Sequence, residues 1–356
     1  MMRKTKTLFL FALFILAFLT HSYAAGIQCV WTGVEKIVAV GDLHGDYKNF
    51  VKILKGTSLI DSKLHWTGGK TYLVQTGDIM DRGPDARRIF DLLMQLEKES
   101  EEAGGKVQML IGNHEEMNIT GIAFDHADYV TVEQFISFLP DKYREQKERE
   151  FRKKMTMEAL KAGTDLDSFF NKNLKAYWKE VLRNNIEARK KYISNFNEKY
   201  GNWILEHNAV IKINDVIFVH GGISEKYSTW KLEDINSRLR AELDDLRWAA
   251  ENSQPPKIPI LEITYKRDGP LWYRELALEN EEIFQQEVDR ILSNLDAHYI
   301  VISHTPRLVS SINDVRRFQG KVWIIDTGIS EVYGGHLSAL IIEKGNFALW
   351  GVNDEK

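Results

Sequence analysis

Gly77-Asp78-Ile79-Met80-Asp81-Arg82-Gly83, entered from the apolar run Tyr72-Leu73-Val74-Gln75, is the stretch on which the reading of this chain turns. A short apolar run that ends in glycine, acid and arginine predicts a buried strand carrying charge to the rim of a sheet. The Asp78 carboxylate offers two oxygens and can bridge two cations, which an imidazole cannot do. Whether it does so depends on ligands from elsewhere in the chain.

The same arrangement recurs on both sides of that stretch. Lys36 to Val40 reads as a strand running into Gly41-Asp42-Leu43-His44-Gly45, and Asp46 to Leu54 follows at helical spacing. Beyond the Asp78 loop, Ala86 to Glu102 is a helix with Ile89, Phe90, Leu92, Leu93 and Leu96 on its apolar side, ended by Gly104-Gly105. Val107 to Ile111 is a third strand opening onto Gly112-Asn113-His114-Glu115. Strands alternating with helices imply an α/β fold with parallel strands, and such sheets carry functional loops beyond the strands' carboxyl ends. All three polar loops then share one edge.

From about 132 to 207 the strand signal disappears and Lys, Glu, Arg and aromatics recur at helical spacing, which predicts a helical insertion. The run Lys142 to Lys154 mixes both signs and reads as a solvated helix face. Phe169, Phe170, Tyr177, Trp178 and Leu182 form a stripe suited to packing within the insertion rather than to a groove. Strands resume at Ala209 to Ile213 and Val216 to Val219, the second ending on His220-Gly221-Gly222. Helices Glu233 to Ala250 and Glu281 to Leu295 follow, then strands Tyr299 to Ile302, before Ser303-His304-Thr305-Pro306, and Lys321 to Ile325, before Asp326-Thr327-Gly328. Leu340 to Trp350 is a closing hairpin around Lys344-Gly345. Asp326-Thr327-Gly328 occurs once, whereas aspartic protease chemistry needs two such acids, so it is expected to be a structural turn.

Bulk properties exclude other classes. With 44% apolar and 28% charged residues, the 356-residue chain has the make-up of a globular protein, not a disordered one. A net charge of -4 supplies no basic field for nucleic acid or anionic lipid, so no nucleic-acid partner is expected. Arg3, Lys4 and Lys6 precede the apolar run Leu8 to Leu19 and the small residues of Ser22-Tyr23-Ala24. Residues 1–24 therefore read as a signal peptide cleaved after Ala24, the run being too short for the roughly 20 residues of a membrane span. Export to the periplasm or the medium, without stable membrane insertion, is expected for the domain 25–356. The single Cys29 cannot form an internal disulfide and reads as an incidental thiol near a loose terminus.

Five strand ends thus present Asp42 with His44, Asp78 with Asp81 and Arg82, Asn113 with His114, His220, and His304. Residues two apart in extended chain face the same side, so Asp42 and His44 can hold one ion, with Asp78 bridging to a second. Asn113 adds a neutral oxygen, and His220 and His304 add imidazoles. This mixed nitrogen and oxygen set suits two ions of Mn, Fe or Zn rather than Ca or Mg. Glycines at 41, 45, 77, 112, 221 and 222 flank these ligands and allow close backbone approach.

The ordered motifs Gly-Asp-Leu-His-Gly at 41, Gly-Asp-Ile-Met-Asp-Arg-Gly at 77, Gly-Asn-His-Glu at 112, His-Gly-Gly at 220, and His304 resemble those of the calcineurin-like PPP phosphoprotein phosphatases. Gly269-Pro-Leu-Trp-Tyr-Arg274, and Asp326-Thr-Gly followed by Tyr333-Gly-Gly, resemble the Shewanella-like phosphatase branch in particular, some members of which favour phosphotyrosine. The resemblance spans roughly Val34 to Trp350. It implies a metallophosphatase-type β-sandwich flanked by helices, with the helical insertion added, and a phosphorylated protein or peptide as substrate. After Gly-Asn-His-Glu the eukaryotic serine/threonine enzymes continue with Ser or Thr and then Arg, where this chain has Glu116-Met117-Asn118.

By that resemblance, a hydroxide shared by the two ions attacks phosphorus in line with the ester oxygen. Arg82 and Arg274 clamp phosphoryl oxygens, and His114 protonates the leaving oxygen while Asp81 fixes its tautomer. Two other readings share the motifs: hydrolysis of small phosphoesters such as dinucleoside polyphosphates, and a non-catalytic phosphopeptide-binding module.

Overall fold

The computed structural model describes residues 27–351; the expected leader lies outside them. Eleven strands are present among these residues: β1 (Val30–Trp31), β2 (Lys36–Val40), β3 (Tyr72–Gln75), β4 (Lys106–Met109), β5 (Val210–Ile213), β6 (Val216–Val219), β7 (Tyr299–Ile302), β8 (Arg316–Arg317), β9 (Val322–Ile324), β10 (Ala339–Glu343) and β11 (Asn346–Trp350). They form two sheets, ordered β11-β10-β2-β3-β4 and β1-β5-β6-β7-β9-β8. In the first, β2, β3 and β4 are parallel, with Ala39 opposite Val74 and Val74 opposite Gln108. These strands are buried at nearly every position, which explains why they read as apolar runs rather than as alternating ones. In the second, β6, β7 and β9 are parallel.

The carboxyl ends of both parallel sets point to one place. Thr76, just past β3, donates from Oγ1 to Ser303 Oγ at 2.8 Å, just past β7. Aromatic pairs also join the sheets away from that edge: Trp323 stacks on Phe347 at 4.6 Å, and Trp31 meets Tyr72 edge-on at 6.4 Å. The third strand ends earlier than its apolar run. Leu110 still donates to Gln75 O of β3 at 2.8 Å but is also bridged to Asn208, and Ile111 donates to Asn208 O at 3.1 Å, so the run turns towards the second sheet as it ends.

The helices begin where the capping residues place them. Asp46 caps α1 (Tyr47–Gly56), accepting from Asn49 N at 2.9 Å. Next come α2 (Ala86–Glu102) and α3 (Asn113–Thr120), the latter starting directly on a site residue. The helical segment comprises α4 (Val132–Phe138), α5 (Asp141–Ala162), α6 (Leu166–Asn184), α7 (Ile186–Phe196) and α8 (Asn202–Leu205). Thr131 Oγ1 caps α4 from Gln134 N and itself donates to Gly83 O, tying the start of the segment to the Asp78 loop. Only Phe151, Met155 and Ala159 are buried along α5, so its charge run faces solvent. Of the aromatic stripe, Phe170 and Trp178 are buried and Tyr177 stacks on Phe151 at 4.2 Å; Leu182 instead lines a cavity beside Arg82.

Cys29 departs from its expected place near a loose terminus. It is buried beside β1, its carbonyl accepts from Lys212 N, and burial pushes its thiol up to about 12. The two-residue pairing of β1 with β5 secures it, and nothing local in the sequence announces so distant a partner. No helix among the described residues is long and apolar enough to cross a membrane.

Trp178 is completely buried on α6, edge-on to Phe135 of α4 at 6.4 Å. Trp178→Ala should therefore destabilise the protein by about 3–5 kcal/mol, read as a lower urea midpoint. A loss below ~1 kcal/mol would mean that α6 packs loosely on α4.

Candidate metal centre

Leu43 is buried in the core while Asp42 and His44 border the site; His44 sits in a turn with φ of +42°, so that turn, and not the alternation of extended chain expected from the sequence, places its ring. This loop is joined to the next by three backbone bonds, Leu43 N and His44 N to Asp78 O and Gly45 N to Ile79 O, at 2.7–3.0 Å. Gly77 sits where the loop after β3 touches the loop after β4. Its φ is +95°, and a Cβ there would lie 2.7 Å from the backbone of Gly112, so no larger residue fits.

Asp78, Asp81 and Arg82 all adopt left-handed backbone, with φ of +55°, +66° and +68°. Non-glycine residues rarely do so unless their surroundings hold them. Here the surroundings are Glu115, which accepts from Asp78 N and Gly112 N with one oxygen and from Ile79 N with the other at 2.8–2.9 Å, and Gln134, whose Oε1 accepts from Asp81 N at 2.7 Å.

The imidazoles are oriented by their second nitrogens. His44 Nδ1 lies 3.0 Å from Met80 O and His220 Nδ1 lies 2.9 Å from Thr76 O, so each Nδ1 carries the proton and each Nε2 presents a lone pair to the site. His44 Nε2 faces Asp42 Oδ2 and Asp78 Oδ2, each at 3.9 Å. Around His220 Nε2 are Asn113 Oδ1 at 2.8 Å, His304 Nδ1 at 3.1 Å and Asp78 Oδ1 at 3.3 Å. Lone pairs this close repel unless a cation lies between them, so the donor set fits a metal. Two groupings of potential ligands, His44-Asp78-His114 and Asp78-His220-His304, meet at Asp78.

Electrostatics agrees with metal-binding forms. Burial, helped by the charge of His114, lowers His44 to about 4, and burial with His220 and Arg274 holds His304 well below its ordinary range. Both are then neutral, as ligands must be. Burial acts to raise Asp78, but His220, His114 and His44 outweigh it and keep the carboxyl well below the usual range. Asp42 moves the other way, raised by burial and by the charges of Asp326 and Asp78. A cation would relieve that repulsion.

His114 is engaged differently. Its Nδ1 lies 2.7 Å from Asp81 Oδ2, while Nε2 faces the site 3.9 Å from Asp78 Oδ2. Burial lowers it, but Asp78 and Asp81 outweigh burial and raise it to about 9, leaving a proton on the face towards the site. Arg82 lies 4.2 Å over the Tyr129 ring with its Nε buried and without a protein partner. Arg274 donates from Nη1 to His304 O at 2.7 Å and Thr305 Oγ1 at 3.0 Å. Among the described residues neither arginine is in an ion pair, so both keep their charge for an anion.

All ten residues singled out from the sequence lie around this one edge. Others in it were not singled out. Tyr129 and Tyr333 approach His114 and His44 at 4.9 and 5.0 Å and form an aromatic collar. Asp326, expected only as a turn, does make one, Gly328 N donating to its Oδ1 at 3.3 Å, but its carboxyl also stands beside Asp42. Glu116, in place of the eukaryotic pattern, is buried and accepts from Tyr265 N and Trp272 Nε1.

The model of the calcineurin-like phosphoesterase family matches residues 35–308. Shewanella-like protein phosphatase 1 of Plasmodium berghei is 27% identical over 84% of this chain and 68% of its own length. Shewanella-like protein phosphatase 2 of Arabidopsis thaliana is 32% identical over 58% of this chain and 51% of its own. Among solved structures, the cold-active protein-tyrosine phosphatase of a psychrophilic Shewanella species superposes with a TM-score of 0.61 at 25% identity, over 90% of this chain and 79% of that one. The chain belongs to the calcineurin-like phosphoesterase family, and within it is a metal-dependent phosphatase of Shewanella-like kinship.

Proposed function

We propose that this enzyme is a phosphoprotein phosphatase that removes phosphate from tyrosine, serine or threonine side chains with a pair of Mn, Fe or Zn ions. The observation that carries the reading is the placing of His114, locked on Asp81, beside the unpaired Arg82 and within the Tyr129–Tyr333 collar. Asp42, His44 and Asp78 would hold one ion, and Asp78, Asn113, His220 and His304 the other. Ions held there would supply Lewis acidity, neutralising phosphoryl charge and lowering the pKa of water towards neutrality.

The chain's own groups do the rest. Arg82 and Arg274 bind the phosphoryl oxygens and stabilise the charge they gain as the ester bond opens. His114 gives its Nε2 proton to the departing oxygen, and Asp81 holds the ring with that nitrogen outward. Tyr129 and Tyr333 offer flat faces to an aryl group, which supports phosphotyrosine among the substrates. The kinship with protein phosphatases supports a protein substrate over a nucleotide. Export through the leader at 1–24 is part of the same proposal, and a mature protein beginning at Ala25 would bear it out.

A tyrosine phenolate, with a pKa near ~10, needs less protonation on leaving than a serine alkoxide. His114→Asn should therefore cost about 100-fold or more in kcat on a phosphoserine peptide and about tenfold or less on a phosphotyrosine peptide. Equal losses would remove His114 from the role of acid. Elemental analysis of the active protein should find two equivalents of Mn, Fe or Zn per chain, and stripping them with a chelator should abolish turnover until the metal is returned. A single equivalent in fully active enzyme overturns the paired-ion part, and faster turnover of diadenosine tetraphosphate than of either peptide overturns the protein-substrate part.

A further inference from the structure

The helical segment α4–α8 extends to the candidate site a buried hydrogen-bond network that its sequence does not announce. One of its buried side chains, Gln134, bonds to Asp81 directly, and a second, Tyr192, is joined to the Asp81–His114 pair through Gln134 and Asn118. Gln134, near the start of α4, uses both ends of its amide on one residue: Nε2 donates to Asp81 Oδ1 at 2.8 Å, and Oε1 accepts from Asp81 N at 2.7 Å. Tyr192 on α7 donates from its hydroxyl to Asn118 Oδ1 at 2.8 Å and accepts from Gln134 Nε2 at 3.0 Å. Asn118, one turn after His114 on α3, donates from Nδ2 to Asp81 Oδ2 at 2.9 Å and to His114 O at 2.9 Å. With His114 Nδ1 on the same Oδ2, the network closes around one carboxylate, and Asp81, Asn118, Gln134 and Tyr192 are all completely buried.

Three features separate this from ordinary packing. First, Asp81 is in left-handed backbone, and Gln134 fixes both its peptide N–H and the direction of its carboxylate, so one side chain sets the position of the acid's partner. Second, beyond His114 the side-chain donors to Asp81 are neutral amides. They hold the anion without the competing positive charge of a lysine or arginine, so its field remains directed at the imidazole. Third, the supports are stiff. Tyr192 stacks on Phe135 at 5.7 Å and meets Phe138 and Phe124 edge-on at 5.6 and 5.1 Å, while Thr131 ties the start of α4 to Gly83.

We propose that Gln134 and Tyr192 are positioning residues for proton delivery, and that the inserted helices supply the outer half of the acid machinery. The inference rests on His114 being the general acid. In that step the P–O bond to the leaving group breaks with its electron pair on oxygen. That oxygen takes the proton from His114 Nε2, water supplies the new oxygen on phosphorus and releases one proton to solvent, and solvent returns one to His114. A ring tilted away from the leaving oxygen loses the proton transfer but leaves metal and phosphoryl binding intact.

The test compares Gln134→Leu, Tyr192→Phe and His114→Asn, each in the full metal-loaded protein, on a phosphoserine peptide and on 4-nitrophenyl phosphate, whose leaving group needs little protonation. Gln134→Leu should lower kcat on the peptide by about tenfold more than on 4-nitrophenyl phosphate, with KM and bound metal unchanged, and Tyr192→Phe should act in the same direction to a smaller degree. Should Gln134→Leu fail to fold, Tyr192→Phe, which deletes only a hydroxyl, carries the comparison. Equal losses on both substrates in the Gln134 and Tyr192 variants, beside a selective loss in His114→Asn, overturn the positioning role and leave the acid standing. If His114→Asn is itself unselective, the acid assignment falls and the positioning role falls with it.

Discussion

One carboxylate holds the geometry on which the rest depends. Glu115 takes three backbone N–H donors, from Asp78, Ile79 and Gly112, and so joins the loop after β3 to the loop after β4. Burial and the nearby charge of Asp78 push it up to about 7, while the N–H groups of Asp78 and Ile79 pull it down. The anion accepts all three bonds without competition, whereas protonation would place a hydrogen on one oxygen and weaken the bond accepted there. The left-handed backbone at Asp78, Asp81 and Arg82 costs on the order of 1–3 kcal/mol per residue. Hydrogen bonds to a charged acceptor return about 1.5–3 kcal/mol each, so those to Glu115 are of the size needed to offset the strain at Asp78, while Gln134 Oε1 holds Asp81 N and Tyr129 O holds Arg82 N.

With those loops fixed, the two sheets supply the ligands from opposite sides. Asp42, His44, Asp78 and Asn113 follow β2, β3 and β4, whereas His220 and His304 follow β6 and β7 of the other sheet. His220 bridges the divide twice, by Nδ1 to Thr76 O and by Nε2 towards Asn113. A shift of one sheet against the other would therefore separate the ligands, and the sheet-to-sheet link from Thr76 to Ser303 lies directly beneath them. Rigidity of the sandwich and integrity of the site are thus one property.

Much of this was legible in the chain, for physical reasons that also mark the limits. Parallel strands buried on both faces must be apolar throughout, so β2, β3, β6 and β7 are readable, and chemistry at their carboxyl ends is expected of any such sheet. Helix α2 matches its expected span because its apolar stripe and the following glycines are local signals. Residues whose meaning lies in distant partners left no such mark. β1 is two residues long and exists only through pairing with β5; Cys29 is buried by that pairing; and Gln134, Tyr192 and Asn118 look like ordinary helix residues until folding brings them to Asp81. Asp326 was visible as a turn, but its approach to Asp42 depends on β9 lying beside β7.

The inserted helices themselves divide into two layers with different constraints. Helices α5 and α6 form an outer hairpin with a small cluster of its own, Phe151, Met155 and Phe170, separate from the main core. Helices α4 and α7 form the inner layer, packed through Phe135, Phe138, Tyr192 and Phe196 onto Phe90 of α2, and they alone of the five place side chains on the Asp81 network. The outer hairpin needs to keep its own small cluster and the anchoring of Trp178 and Val181 of α6 in the main core, which leaves its charged face free to vary. The inner layer must keep a glutamine amide and a tyrosine hydroxyl within hydrogen-bonding distance of a buried carboxylate network. Its tolerance is therefore set by tenths of an ångström rather than by apolar area, because an unpaired polar group at that depth loses its bond and regains no water.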